Sequence, residues 1–430
     1  MVKKKKFALT TLLIIALLSV GTVLLLINEQ KNKIQETEVK GDTVETCQEY
    51  EEEISIQLEK LSLIRNWYLK SNYVEQKEIN IQLELPEDRD IKVEYLLDDT
   101  VLETENSYSL SLPVDSLETG EHRINVNIEN CSNTYSQEKL FNVSQPVYVV
   151  WSIDWEGFDV KQEYLDQMAQ ISSKYNAPMT HFFNPYIYLY LNQERSAYLT
   201  NWVKQRNESI GLHLHMYSKL VSAAGVQVNN SIAWGSPTGN GHDTPNTTYN
   251  YNEYTKIIDW SIKQFEKNEL NRPTMYRAGG WFIDEENLRV LNDLEFTLDT
   301  SGRTSYVHGR NQLVGEWSLK STTQPYQLNS TDQNITSNPN MNLWEYPNNG
   351  GDSWAYTSEK LIERFRDNYI GGISTQKKVV TYVTHPHWFD KEGPNIEGTL
   401  KYINTMSYGT DSGPILFISL DNVHKDIVKL

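Results

Sequence analysis

Hydrophobic positions change their rhythm along this chain. Residues 7–27, FALTTLLIIALLSVGTVLLLI, form one uncharged apolar run. As a helix it would span about 30 Å, the thickness of a bilayer hydrocarbon core. Residues 28–72 are polar and charge-rich. Within them YEEEISIQLEKLSLIRNWYLK carries Ile54, Leu58, Leu61 and Arg65 at helical spacing, acids early and bases late, which suits a helical stalk. Between 73 and 145 the stretches EINIQLELP, IKVEYLL, YSLSLP and HRINVNIEN alternate apolar and polar residues, and PED, LDD, ETG and CSN separate them as turns. Short strands at intervals of roughly 8–15 residues predict a small all-β sandwich, immunoglobulin-like in outline and acting as a spacer.

From residue 147 continuous apolar runs replace the alternation. VYVVWSID reads as a strand covered on both faces. Amphipathic YLDQMAQISSKY and the run PMTHFF follow it. SAYLTNWVKQR then SIGLHLH, TKIIDWSIKQFEK then PTMYRAG, and NLRVLNDL then FTLDTS continue the series. LIERFRDNY then KVVTYVTH, and EGTLKYINTM then ILFISLD, complete it. Regular strand–helix alternation predicts an α/β fold, either a (β/α) barrel or a doubly wound sheet. No G-x-G-x-x-G opens a helix, so the nucleotide fingerprint is absent. The barrel is favoured, with chemistry expected at the C-terminal ends of its strands.

Composition narrows the setting. The 430 residues, 39% hydrophobic and 11% aromatic, suffice for two or three units with a substantial core. A net charge of -18 argues against a nucleic-acid surface. Lys3 to Lys6 precede the apolar run, so the positive-inside rule keeps residues 1–6 in the cytoplasm and exports the rest. A cleaved signal peptide would have a shorter apolar core, roughly 7–15 residues, ending at a small-x-small site. Here the run leads into NEQKNKIQ, so 7–27 is read as an uncleaved single-pass anchor in the lipid bilayer of the cell membrane. The two cysteines, Cys47 and Cys131, could pair outside the cell or stay separate thiols.

Three strand ends carry pairs of ionisable residues two apart: Asp154-Trp-Glu156, His213-Leu-His215 and His385-Pro-His387. On an extended strand, residues i and i+2 face the same side. Carboxylate plus imidazoles is a first-row metal set, with zinc the obvious choice. Glu156, His213 and His215 would fill three positions and leave one open. Asp154 and His385 would then be free for proton transfer. Trp155, Trp281, Trp344, His387 and Trp388 stand beside these motifs and could meet a substrate, although aromatics are more often core. His181 reads as core or as a support to the cleft, and Asp299 as rim or strand end. Residues 236–252 form a long polar loop, solvated by default, whose His242 and Asp243 could touch ligand.

SIDWEG, THFF, GLHLHMY, YRAGGWFIDEENLRVLNDLEFTLDTS and VTHPHWF, in that order, resemble the polysaccharide deacetylases. This is the NodB-homology or carbohydrate esterase family 4 domain, here in a divergent His-x-His form. The resemblance spans residues 147–425. It implies a distorted (β/α) barrel over 147–430 that hydrolyses N-acetyl groups, the C–N bonds of linear amides. Asp154 would be the base, Arg277 its brace and His385 the acid. Glu156, His213 and His215 would hold the metal. Two departures bear on substrate more than on fold. Asp-x-Glu replaces two adjacent aspartates, and Tyr217 stands where the common His-x-x-x-His pattern has its second histidine. The combined expectation is a membrane-anchored, extracytoplasmic, Zn2+-dependent deacetylase of an N-acetylated glycan such as peptidoglycan or another surface polysaccharide. Its rivals are an inactive glycan-binding module on the same fold and a metal-dependent carbohydrate esterase or amidase.

Overall fold

The computed structural model describes residues 51–85, 91–103, 108–130, 133–230, 243–308 and 312–429. The apolar run 7–27, the first part of the stalk, Cys47, Cys131 and His242 lie outside them. Among the described residues no helix is long and apolar enough to cross a membrane.

Residues 51–72 fall within the stretch expected as stalk, and the structure packs them into the small β unit. The helix Glu51–Glu59 buries Ile54 and Leu58, and these join Leu61, Ile64, Tyr68, Ile79, Tyr95, Ile124 and Phe141 in one core. The helical spacing read from the sequence is therefore an apolar face covered by a sheet. Strand Trp67–Leu69 runs parallel to the end of Asn133–Ser144. That long strand pairs with Gly120–Asn130, which pairs with Ile91–Leu97. Glu78–Gln82 and Ser109–Pro113 make a separate two-stranded sheet. Strand alternation is visible in the burial of Ile79 and Ile81 between exposed Glu78, Asn80 and Gln82. Among the described residues the two sheets have five and two strands, an uneven sandwich.

The larger unit alternates as its apolar runs predict. Its elements are β1 (Val147–Trp155), α1 (Gln162–Tyr175), β2 (Met179–Phe183), α2 (Gln193–Gln205), β3 (Ser209–Leu214), α3 (Tyr251–Lys267), β4 (Met275–Ala278), α4 (Glu285–Asp293) and β5 (Leu298–Asp299). After these come β6 (Trp344–Glu345), β7 (Gly351–Asp352), α5 (Ser358–Asn368), β8 (Lys378–Thr384), α6 (Phe389–Asn404), β9 (Ile415–Phe417) and α7 (Leu420–Val428). Strands β6-β5-β4-β3-β2-β1-β8-β7 lie side by side in that order, all parallel, with β9 along the lower half of β1. All nine residues of β1 are buried, as a strand covered on both faces requires.

The two faces of β1 do different work. Val147, Val149, Trp151, Ile153 and Trp155 point into the layer between sheet and helices. Tyr148 and Val150 point the other way, into an inner cluster with Phe182, Met275, Leu298, Tyr346, Val379, Leu420 and Val423. Helix α7 thus plugs the lower end of the enclosed space. Further along β1 the same inner face becomes polar, with Ser152 and Asp154.

The sheet curls. On a flat sheet β1 and β4 would be about 14 Å apart, three strand spacings. Yet Arg277 of β4 donates to Asp154 of β1 at 2.7 Å. One segment joins the two edges of the curl. Trp344 and Tyr346 donate their N–H groups to Thr297 and Asp299 beside β5, while Gly350 and Ser353 donate to Thr381 and Val383 of β8.

Candidate active site

Parallel strands place their C-terminal ends on one rim. Asp154, His213 and Arg277 are the last residues but one of β1, β3 and β4, and Glu156, His215 and His385 are the first residues beyond their strands. His213 and Arg277 are direct neighbours in the β3–β4 register. A cavity of about 110 Å³ at this rim is lined by Asp154, Glu156, His213, His215 and His385, together with Trp281, His308, Asp352, Trp354 and Trp388. The structure thus brings together the six residues expected to carry the chemistry, counting Arg277 behind Asp154.

Glu156, His213 and His215 each offer a donor atom, all within 4.8 Å of one another, and all three side chains are buried. His215 Nε2 is 2.6 Å and His213 Nε2 is 3.5 Å from the Glu156 carboxylate. The other ring nitrogens are committed. His213 Nδ1 donates to the Arg277 carbonyl at 3.0 Å, and His215 Nδ1 donates to Asp243 at 2.6 Å. His213 Nε2 is left buried without a hydrogen-bond partner. An imidazole fixed through Nδ1, with an orphaned Nε2 facing a carboxylate, is the tautomer that a metal ligand needs. The donor set fits a divalent ion. Burial opposes ionisation of Glu156, but the close imidazoles of His215 and His213 outweigh it and hold the carboxyl well below its usual range. His215 is likewise disfavoured as a cation by burial, yet Glu156 and Asp243 raise it well above the ordinary imidazole range. The turn after β4 must pass close to this ring. A Cβ on Gly279 would lie 2.7 Å from the His215 ring, so no larger residue fits there without displacing it.

Tyr217 stacks on His215, rings 5.3 Å apart and nearly parallel, and its hydroxyl donates to Glu156 at 3.3 Å. It buttresses the ligand set from the side.

Asp154 and Arg277 are both buried. One Nη of Arg277 donates to Asp154 and to Ser152 Oγ, each at 2.7 Å. Nε and the other Nη go to Thr300, at 3.1 Å to its carbonyl and 3.0 Å to its hydroxyl. The guanidinium also lies 4.4 Å from the centre of the Phe182 ring. Its direction is therefore set from three sides.

His385 turns Nε2 toward Glu156, 3.6 Å away, and Nδ1 toward Glu392 at 3.2 Å, with Asp352 at 3.8 Å. Burial disfavours the imidazolium, but Glu392 and Asp352 push His385 up to about 10. Burial raises Asp352 in turn to about 6. Asp352, His385 and Glu392 are also close enough together to suggest a second ion site. However, Glu392 already accepts the His385 backbone N–H and the Ser353 hydroxyl, at 2.9 and 2.7 Å. This cluster anchors a protonated imidazole.

The other residues singled out in the sequence divide: His181 is core and Asp299 ends a strand, as read, while Trp155 and His387 do not line the cavity. Trp155 is not a sugar contact. Strand alternation turns it away from Asp154 and Glu156, and it sits 1% exposed against Phe183 and Trp202. His181 is core, bonded to Glu208 and to the Trp155 indole. Trp344 packs beside His424 at the lower end. Asp299 is fully buried and bonded to Ser301. His387 lies in a 3-10 turn, Pro386–Trp388, so the strand rule does not extend to it. It packs against Phe158 and Trp388, and burial pushes it down to about 3. Trp281 and Trp388 do line the cavity. Glu392, Asp352 and Trp354 were not visible as site residues. Glu392 is on a helix, Asp352 and Trp354 are in the segment that closes the sheet, and no motif marks them. Asp243 was singled out as a possible ligand contact, and the structure gives it His215.

No protein-family model matches the sequence, and no curated protein sequence matches it. Among solved structures the chain is similar to a candidate polysaccharide deacetylase from Mycobacterium smegmatis, at 14% identity and TM-score 0.42, covering 66% of this chain and 92% of that one. It is similar to the peptidoglycan deacetylase PdaC from Bacillus subtilis, at 11% identity and TM-score 0.34, covering 66% and 93%. It is also similar to a CE4 family pseudoenzyme from Bacillus anthracis, at 11% identity and TM-score 0.32, covering 61% and 64%.

Asp243 orients His215 by a buried hydrogen bond, so Asp243→Asn should weaken metal binding while leaving all three ligands present. Loss of such a supporting partner typically costs about 10–100-fold in affinity. Titration of the metal-free protein with Zn2+ measures it. Unchanged affinity would show that Asp243 does not tune the site.

Proposed function

We propose that this chain is a metal-dependent deacetylase of N-acetylated glycans, held at the outer face of a membrane by residues 7–27. The observation that supports it most directly is the convergence of an orphaned His213 Nε2, His215 and Glu156 beside a braced carboxylate and a protonated imidazole. Zn2+ is the ion that the donor set favours. Bound there, it would act as a Lewis acid on the acetamide carbonyl and on water. The chain's own residues do the rest. Asp154, oriented by Arg277, accepts a proton from the attacking water. His385, held by Glu392, gives its proton to the nitrogen of the sugar as the C–N bond breaks, so acetate and a free amine leave. Trp354 and Trp388, 43% and 40% exposed with rings 6.0 Å apart, offer apolar surface at the cavity mouth for a pyranose ring. Base, acid and three ligand groups are all present, which favours an enzyme over an inactive binding module.

Asp154 and Glu156 are chemically alike, two residues apart, and assigned different tasks. Glu156→Gln should lower metal content. Asp154→Asn should keep metal and lose acetate release from an N-acetylglucosamine oligomer by about 10²–10⁴-fold, the usual contribution of acid–base assistance. The reverse pattern would exchange the two roles, and wild type with full metal but no acetate from any acetylated glycan would favour the binding-module reading.

The acid limb has its own signature. Glu392 is the largest influence holding the proton on His385. Glu392→Gln should therefore move the alkaline limb of the pH–rate profile to lower pH. A profile that stays in place would remove His385 from the role of acid.

Topology is open to a direct test. Protease added outside intact cells should release the bulk of the chain, whereas full protection would reverse the orientation inferred from Lys3 to Lys6.

A further inference from the structure

Beside the catalytic cavity three buried polar groups lack a protein acceptor. Trp281 lines the cavity, 7% exposed, and its indole Nε1–H has no partner. The guanidinium of Arg303 lies 4.3 Å from the centre of the Trp281 ring and 4.5 Å from that of Tyr306. The two rings meet edge-on at 6.4 Å. Arg303 Nε and the Tyr306 hydroxyl are also buried without partners. The three side chains thus form one contiguous group, of which Trp281 faces the cavity and the other two pack behind it.

Charge makes the group unusual. Arg277 is paired with Asp154, and Arg206 with Glu208. Among the described residues Arg303 has no ion pair; Asp352 is near enough to favour its charge, and Glu316, itself with an unpartnered buried oxygen, is near Tyr306, but neither is bonded to the cluster. The segments of the larger unit outside the described residues, 231–242 and 309–311, contain neither Asp nor Glu. Burying donors without acceptors carries a desolvation penalty, and a cluster of them calls for an acceptor supplied from outside. Trp281 is also held at a φ of 63°, a backbone conformation that large side chains rarely adopt. The structure therefore fixes this indole against Arg303 at a local conformational cost.

We infer that Trp281, Arg303 and Tyr306 form an oxyanion subsite, which accepts a carboxylate or phosphate carried by the glycan next to the acetamido group under attack. The inference rests on the deacetylase reading for the identity of the ligand's scaffold. It narrows the substrate class to acidic glycans. A chain with net charge -18 has no general attraction for a polyanion, so any preference for one must come from local donors. Arg303 supplies the charge and a planar fork suited to two oxygens. Trp281 and Tyr306 supply neutral donors and clamp the guanidinium between their rings.

Equilibrium binding by calorimetry tests it, with the metal-loaded full chain. Three probes are compared: an N-acetylglucosamine oligomer with hexuronate neighbours, the same oligomer after carboxyl reduction, and a 6-phosphorylated N-acetylglucosamine oligomer. Wild type should bind an anionic probe at least about tenfold more tightly than the neutral one, as charge-assisted hydrogen bonds would give. The carboxylate and phosphate arms identify which anion it is. Arg303→Gln should abolish the preference. Arg303→Lys, which keeps the charge and loses the fork, should retain part of it, and it covers the case in which the Gln variant fails to fold. Equal affinity for all three probes in wild type would overturn the proposal and leave the cluster as a water site. So would a preference that survives in folded Arg303→Gln. Acetate release from the neutral oligomer is followed in parallel. Release from the two anionic probes is followed as well; absence of acetate from all three counts against the deacetylase reading, whereas the binding preference reports on this subsite alone.

Discussion

The ion pair between Arg277 and Asp154 is the interaction on which this site depends. Both groups are buried, Arg277 completely, and a buried charge persists only when paired and hydrogen-bonded. Ser152 and Thr300 accept three more of the guanidinium's N–H groups. The pair joins strands that a flat sheet would hold well apart, so its formation requires the curl. The same curl carries Glu156, His213, His215 and His385 onto one small cavity. Removing one partner of such a pair typically costs about 3–5 kcal/mol, because the other charge is left stranded. Position and stability are therefore linked at Asp154 in a way they are not at an exposed base.

Around that pair the site is an alternation of acids and imidazoles, each held by the next. Asp243 orients His215, His215 and His213 face Glu156, and Glu392 with Asp352 holds His385. Burial alone would neutralise these groups, raising carboxyls and lowering imidazoles. Mutual attraction reverses that for Glu156, His215 and His385. At His387 burial wins, because the pull of Glu156 is opposed by the neighbouring His385, His215 and His213. Two histidines two residues apart in HPH are thus pushed in opposite directions.

The small β unit meets the larger one at the end opposite the rim. Asp411 accepts the backbone N–H groups of Asn66 and Trp67, and Arg65 stacks on Tyr408 at 3.9 Å. Ser71 bonds Tyr148 near the start of β1, and Gln145 bonds Ser374 ahead of β8. Every one of these contacts lies at or before the N-terminal end of a strand, whereas the cavity lies beyond the C-terminal ends. The contacts with the small unit and the cavity thus lie at opposite ends of the larger fold.

Much of this was legible from the sequence because it depends on local periodicity. Continuous apolar runs of strand length alternate with amphipathic helices, and only a parallel sheet between helices buries both patterns. Doublets at i and i+2 on strands must share a face, which placed His213 with His215 and Asp154 near Glu156. The same rule should have excluded Trp155, which occupies the alternate position. The apolar face of Glu51–Glu59 was also legible, but not what covers it, since helical spacing looks the same on a stalk and on a sheet. What only the tertiary structure decided are contacts between distant segments. Glu392 reaches His385 from a helix, Asp352 and Trp354 arrive on the segment that closes the curl, and Arg303 meets Trp281 from beyond β5. None of these has a repeating spacing to betray it. They exist because the sheet curls, and a curl is a property of all its strands together rather than of any window of sequence.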